Sequence, residues 1–390
     1  MTYSDYVYVC RPQLPDAEAI AGYIRGIDSR RHYSNRGPLV QQLEERIATS
    51  FERPAHAVRS TSSGTSALEV AILAKTGLAT PDRPLALIPS FSFAATGLAV
   101  ERCGYRVHFV DIDPETWALD PVALARHPLL DQAGLIVSVA PYGVLPDMAA
   151  LEALHAATGV PVVVDAAAAF EAVLDHPDQI SQSVPLSLSF HATKTFSTGE
   201  GGAVIWDNPA GQDMVQQVSN FGFFLSRECK VAGTNAKMSE YHAAVGLAML
   251  DEFPARRRDY ARVSALYAKA AEVCDPGGAM LLPPRVSSAY ALFEAQDAAH
   301  FDRAEKILLG GKVETRRWYE DGQHTQPHFA AAGSDPLPVT DSLSRKLIGL
   351  PMAHDLAAHD VARVVRLLQQ AAEPAAGAPD PTHGMATSPA

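Results

Sequence analysis

Ser189-Phe190-His191-Ala192-Thr193-Lys194-Thr195-Phe196-Ser197-Thr198-Gly199-Glu200-Gly201-Gly202 is the stretch on which the fold reading turns. An apolar segment, Val184 to Phe190, runs into a lysine, and a glycine-rich turn follows. A lysine so placed is poorly solvated and held by a tight backbone. Burial favours the neutral amine, and only the neutral amine attacks a carbonyl carbon to form a Schiff base. On this segment alone a surface lysine on a loop explains the residues equally well. Gly199 to Gly202 lacks the lysine–hydroxyl ending of a nucleotide-binding loop and reads as the turn that positions Lys194.

Val162-Val163-Val164-Asp165 reads as a short buried parallel strand ending in a carboxylate. A buried Asp needs a cationic partner or several donors. The plainer alternative is a helix cap, with Ala166 to Ala169 opening the helix. Taken with a downstream lysine, the pattern gains another meaning. A carboxylate can keep a pyridine nitrogen protonated while a lysine holds the aldehyde of the same ring, which makes pyridoxal phosphate an electron sink. A third segment, Ser62-Ser63-Gly64-Thr65-Ser66-Ala67-Leu68, leads into an apolar helix, 67–74. Small residues let the backbone approach a phosphate, and the first-turn N–H groups point at it. An ordinary helix cap fits those residues too.

Together the motifs carry a resemblance. Ser-Gly-Thr-Ser-Ala-Leu (63–68), Pro-Ser-Phe-Ser-Phe-Ala-Ala-Thr (89–96), Asp-Ala-Ala (165–167), Ser-Phe-His-Ala-Thr-Lys (189–194) and Gly-Glu-Gly-Gly (199–202) occur in that order. Gly-Thr-Asn-Ala-Lys-Met-Ser-Glu (233–240) and Ala-Ala-Val-Gly-Leu (243–247) follow. The chain resembles the DegT/StrS family of nucleotide-sugar aminotransferases, from near Arg36-Gly37-Pro38 and Leu43-Glu44 through Leu350-Pro351-Met352. The resemblance implies a fold-type I enzyme that uses pyridoxal 5′-phosphate. It implies that Lys194 is the Schiff-base lysine, Asp165 the partner of the pyridine nitrogen and Phe93 the aromatic over the ring. It gives Gly64, Thr65 and Ser189 to the phosphate. It implies a homodimer with shared sites, in which Asn235 reaches the neighbouring subunit's phosphate. The family usually has Gln or His three positions after the Asp, contacting the cofactor's phenolic oxygen; here that position is Ala168.

The rest of the sequence sets limits. With 390 residues, 47% hydrophobic and 19% charged, the chain has the length and composition for a large core and two domains. A net charge of −12 argues against a nucleic-acid surface. No apolar run reaches membrane-spanning length, and Met1 to Arg11 lacks a signal-peptide pattern. Cys10, Cys103, Cys229 and Cys274 are scattered, so neither a metal site nor a disulfide scaffold is expected, and the cytoplasm is the expected compartment.

Apolar strands at 85–88, 107–110, 135–139, 162–164, 186–190 and 203–206 alternate with helices, such as 16–25, 41–49 and 148–157. This is the α/β signature of a mostly parallel sheet between helices, and ligands of such sheets bind beyond the carboxyl ends of strands. The expected division is a large domain over 1–252, a smaller C-terminal α+β domain over 253–370, and a disordered tail over 371–390. Pro254 and Arg256-Arg257-Arg258 read as the start of a long helix with a solvated basic face. His324 and His328 read as surface or cleft residues, and His191 as structural.

The expected function is transfer of an amino group, with glutamate as donor, to a keto sugar on a nucleotide. A 4-keto-6-deoxyhexose comes first as acceptor and the 3-keto isomer next. Three alternatives stand beside it. One is a sugar dehydratase on the same scaffold, against which Lys194 speaks. Another is a non-catalytic regulator, which Ala168 suggests. The last is a dinucleotide-dependent oxidoreductase, for which no Gly-x-Gly-x-x-Gly follows the first predicted strand.

Overall fold

The computed structural model describes residues 6–372. Eight strands form the main sheet: β1 (Val58–Thr61), β2 (Leu85–Pro89), β3 (Arg106–Val110), β4 (Ala133–Val139), β5 (Val162–Asp165), β6 (Leu186–Ser189), β7 (Gly202–Ile205) and the two-residue β10 (Gly333–Ser334). Their spatial order is β1-β7-β6-β5-β4-β2-β3-β10. β7 runs antiparallel to both of its neighbours, and the remaining pairs are parallel. The central strands are apolar on both faces because both faces are covered. In β4, Ile136 joins one core, with helices Pro38–Ser50 and Met148–Thr158. Its neighbours Leu135 and Val137 join the other, with helices Gly64–Thr76, Ala95–Arg102 and Pro209–Val218.

A second, antiparallel sheet pairs β8 (Ala279–Leu281), β9 (Ala291–Glu294) and β11 (Leu347–Leu350) in the order β11-β9-β8. Helices Ala298–Gly310 and Ala358–Ala372 cover it around Phe293, Phe301, Ile348 and Val364. Val7 belongs to this core, so the N-terminal segment packs with the C-terminal body. Residues 371 and 372 close the last helix, and the rest of the expected tail lies outside the described residues. We propose that the chain divides near 252–253.

That point falls inside one 34-residue helix, Glu240–Val273, which carries the chain between the bodies. The helix begins earlier than Pro254 suggested. Pro254 sits in its interior, where a proline normally breaks the hydrogen-bond ladder. Packing on both sides holds the helix through it. Phe253 is buried against Phe170 and Phe196, with ring centroids 5.1 and 5.9 Å away. Arg256 is not on a solvated face. It is buried, pairs with Glu252 at 2.8 Å and donates to the Gln13 carbonyl at 2.7 Å. Arg257 pairs with Asp175, and only Arg258 of the three is exposed. At the helix's start, the buried Glu240 carboxylate accepts from the Leu39 and Val40 N–H groups at 3.0 and 2.9 Å, capping the helix Pro38–Ser50.

Phe170 centres the apolar cluster beneath the Lys194 loop. It stacks on Phe196 at 4.4 Å and meets Phe51 at 5.2 Å and Phe190 at 6.1 Å. Phe170→Ala is expected to destabilise the protein by about 3–5 kcal/mol, read from the denaturant midpoint. A loss near zero would mean that this cluster does not support the loop.

Candidate active site

Asp165 is the last residue of β5, in the middle of the sheet. It is buried, and its carboxylate accepts from Thr96 Oγ1 at 2.7 Å and from the Ala167 N–H at 3.2 Å. Thr96 in turn meets Ser92 Oγ at 2.7 Å. No ion pair forms on Asp165 among the described residues, and burial raises its pKa above the ordinary carboxylate range. It does not cap a helix: the next one, Phe170–Asp175, begins five residues on with Ala169 at its N-cap.

Lys194 follows β6 in a closed loop. Phe190 N–H donates to the Gly201 carbonyl at 2.8 Å, Ala192 N–H to Gly199 at 2.9 Å and Thr198 N–H to Phe190 at 2.9 Å. Gly199 holds φ +85°, which favours glycine, so the turn after Lys194 depends on it. Buried Phe190 and Phe196 anchor the loop on either side of the lysine. Lys194 is half-buried as a residue, and crowding around its amine pushes its pKa down, opposed by Asp165. The amine donates to Tyr290 Oη at 3.3 Å. The surface reading of Lys194 therefore fails. His191 turns away, with Nδ1 2.9 Å from Thr193 Oγ1.

The segment at 62–66 is both a cap and a cradle. Ser63 and Ser66 form a reciprocal capping box on the helix Gly64–Thr76. That leaves the Gly64 and Thr65 N–H groups at the helix mouth, without partners inside the helix. Gly64 lies against Ser189, and a Cβ on it would sit 2.5 Å from Ser189 Cβ. The structure thus brings Gly64, Thr65 and Ser189 together. Phe93, beyond the end of β2, is 65% exposed, a large aromatic with an uncovered face.

Asn235 stands apart. It is exposed, and the cap of helix Glu240–Val273 is Ser239, so Asn235 is not that cap. Its neighbour Ala236 accepts from the Ser62 N–H at 2.8 Å, which ties the segment to the cradle's rim. His324 and His328 do not converge: one meets Ser90 and Asp341, the other Glu101.

The sequence did not single out Thr96 or Tyr290. Thr96 lay in a quoted motif without a role, and nothing local marked Tyr290. A cluster elsewhere was also unforeseen: His108 and His127 each place Nε2 2.9 Å from an oxygen of Asp335. The Leu129 N–H donates to His127 Nδ1 at 3.2 Å, so Nε2 carries that ring's proton. The cluster is a hydrogen-bonded clamp that fastens β10 to the sheet edge, with its ligand atoms engaged.

With this geometry in hand, the comparisons are informative. The model of the DegT/DnrJ/EryC1/StrS aminotransferase family matches residues 16–369. A putative PLP-dependent aminotransferase from Bacillus cereus has a similar structure, with TM-score 0.84 and 27% identity over 93% of this chain and 99% of that one. DesI, solved in the presence of its TDP-sugar product, matches with TM-score 0.83 and 29% identity over 95% of this chain and 94% of that one. A dTDP-4-amino-4,6-dideoxy-D-glucose transaminase of Shigella dysenteriae is 30% identical over 63% of this chain and 65% of its own length.

The raised pKa of Asp165 fixes a sign. A carboxyl that holds its proton more tightly folded than unfolded contributes stability at low pH. That contribution is lost as pH rises from the ordinary carboxylate range through the folded pKa. Cofactor-free Asp165→Asn is therefore expected to melt higher than wild type at neutral pH, with the gap closing near pH 4. Equal melting temperatures at neutral pH would mean that Asp165 carries no burial penalty.

Proposed function

The chain belongs to the DegT/DnrJ/EryC1/StrS aminotransferase family, and we propose that it moves an amino group from an amino acid to a keto sugar carried on a nucleotide, with pyridoxal 5′-phosphate as cofactor. One observation carries this reading: Asp165 and Lys194 face one space from neighbouring strands, each desolvated and neither in an ion pair with the other.

The residues fit that cofactor. Asp165 is a buried carboxylate with two donors and no ion pair among the described residues, which suits a protonated ring nitrogen. Gly64 packs where a side chain would strike Ser189, leaving backbone N–H groups bare at a helix mouth, which suits a phosphate. Phe93 offers an uncovered aromatic face, which suits a planar ring.

When bound, the cofactor supplies an electron sink for the carbon that loses a proton. The chain's own residues do the rest. Asp165, steered by Thr96 and the Ala167 N–H, holds the proton on the ring nitrogen. Gly64, Thr65 and Ser189 bind the phosphate and fix the ring's position. Phe93 covers one ring face and excludes water. Lys194 would hold the aldehyde, and its Nζ would carry the proton between the two carbons, with burial shifting its pKa toward the neutral amine. Asn235, exposed in the single chain, reaches the partner's phosphate in a homodimer.

The finer terms of the proposal are glutamate as donor and a 4-keto-6-deoxyhexose as first acceptor, with the 3-keto isomer second. DesI and the Shigella enzyme support the acceptor class through what they are named for. We propose the cytoplasm as the compartment of the reaction, as the scattered cysteines suggest.

Two experiments test the reading. Purified protein with pyridoxal phosphate, glutamate and a panel of nucleotide-linked keto sugars is expected to yield an amino sugar, and Lys194→Ala to lose at least about 10²–10⁴-fold in rate. A panel wholly without product would sink the substrate class. Mixing Lys194→Ala with Asn235→Ala subunits tests shared sites. If Asn235 acts across the interface, one site of the heterodimer carries both lesions and the other is intact, so activity reappears. Heterodimers that form yet stay inactive would confine Asn235 to its own subunit.

A further inference from the structure

Tyr290 reaches Lys194 from the second body, ninety-six residues on. It ends the turn Ser287–Tyr290, closed by its own N–H on the Ser287 carbonyl at 3.0 Å. Two contacts fasten this turn to the main body. Ser287 N–H donates to the Tyr142 carbonyl at 2.8 Å, and Ser288 N–H to the Glu171 carboxylate at 3.3 Å. The Tyr290 ring stands edge-on to Tyr142 and to Trp318, both at 5.3 Å. The phenol is therefore buried and fixed.

Its oxygen accepts from Lys194 Nζ at 3.3 Å, and among the described residues none takes its proton. Ala168 packs against the same aromatic wall and brings only a methyl group to it. Pyridoxal phosphate carries a hydroxyl on the ring carbon next to the one that bears its aldehyde. A donor in reach of the amine that holds the aldehyde is thus close to that oxygen as well.

We propose that the Tyr290 hydroxyl, which accepts from the free Lys194 amine, turns its proton to the cofactor's phenolic oxygen once the lysine is linked to the aldehyde, and so positions the reacting end. This rests on the functional reading above. Burial pushes the Tyr290 pKa well up, so the phenol stays protonated and remains a donor. The titratable groups facing the pair are Asp165 and Cys10 on the lysine side and Tyr142 and Tyr319 in the wall. Donation to the phenolic oxygen favours its anionic form. It thereby weakens that oxygen's hold on the proton shared with the lysine nitrogen, and the lysine-linked cofactor gives up that proton at a lower pH.

The test is a pH titration of the visible absorbance of the cofactor-loaded protein. Tyr290→Phe keeps the ring packing and removes the donor. It is expected to raise the midpoint by about one unit, a tenfold change in proton affinity. Tyr319→Phe removes a hydroxyl of the same wall, one that accepts from the Tyr142 N–H at 3.1 Å, and is expected to leave the midpoint in place. An unchanged midpoint in Tyr290→Phe, or an equal shift in both variants, overturns the donation while the functional reading stands. A wild type that takes up no cofactor and shows no visible band overturns both.

Discussion

Two groups of opposite charge type are desolvated at the carboxyl edge of one sheet, and they form no ion pair with each other. Desolvating a lone carboxylate or ammonium is costly, and a group so placed shifts its pKa toward the neutral form. Asp165 shifts up and Lys194 shifts down. Much of the surrounding structure reads as support for that arrangement. Thr96 and the Ala167 N–H hold the carboxylate in one orientation. The Gly199 turn and the Phe190 and Phe196 anchors fix the lysine's backbone. Tyr290 gives the amine an acceptor that carries no formal charge. Such an arrangement suits a cation beside Asp165 and an electrophile beside Lys194, which is what the proposed cofactor would bring.

The topology explains why these groups meet. Parallel strands carry their carboxyl ends to one edge, and β5 and β6 are neighbours there, so the loop after each opens on the same space. The helix Gly64–Thr76 packs on β6 and points its N-terminus at that edge through the Gly64–Ser189 contact. The long helix Glu240–Val273 then carries the chain to a second body, which returns an aromatic wall to the site. Ala168 leaves room in this wall, since Tyr142, Tyr290 and Tyr319 crowd the region around it.

What could be read from the sequence follows the range of each signal. Strands such as Leu85–Pro89 and Val162–Asp165 were legible because burial on both faces leaves a continuous apolar run. β1 was not, because Val58-Arg59-Ser60-Thr61 lies where polar groups find local partners: the Glu44 carboxylate takes the Ser60 N–H and hydroxyl at 2.9 and 2.8 Å. Pro254 misplaced the start of the long helix because a single-residue rule cannot weigh the packing of Phe253 and Arg256 on either side. Lys194 and Asp165 stood out since their neighbours in sequence also shape their surroundings. Tyr290 and the His108–Asp335–His127 clamp depend on contacts across ninety or more residues, which no local pattern carries.

The central claim is that Lys194 holds the aldehyde of pyridoxal phosphate beside Asp165. Borohydride reduction of the protein loaded with pyridoxal phosphate, followed by peptide mass mapping, tests it most directly. The account predicts a stable adduct on the peptide that contains Lys194, absent from Lys194→Ala. A loaded wild type with no adduct at Lys194, or with its adduct on another lysine, would contradict it.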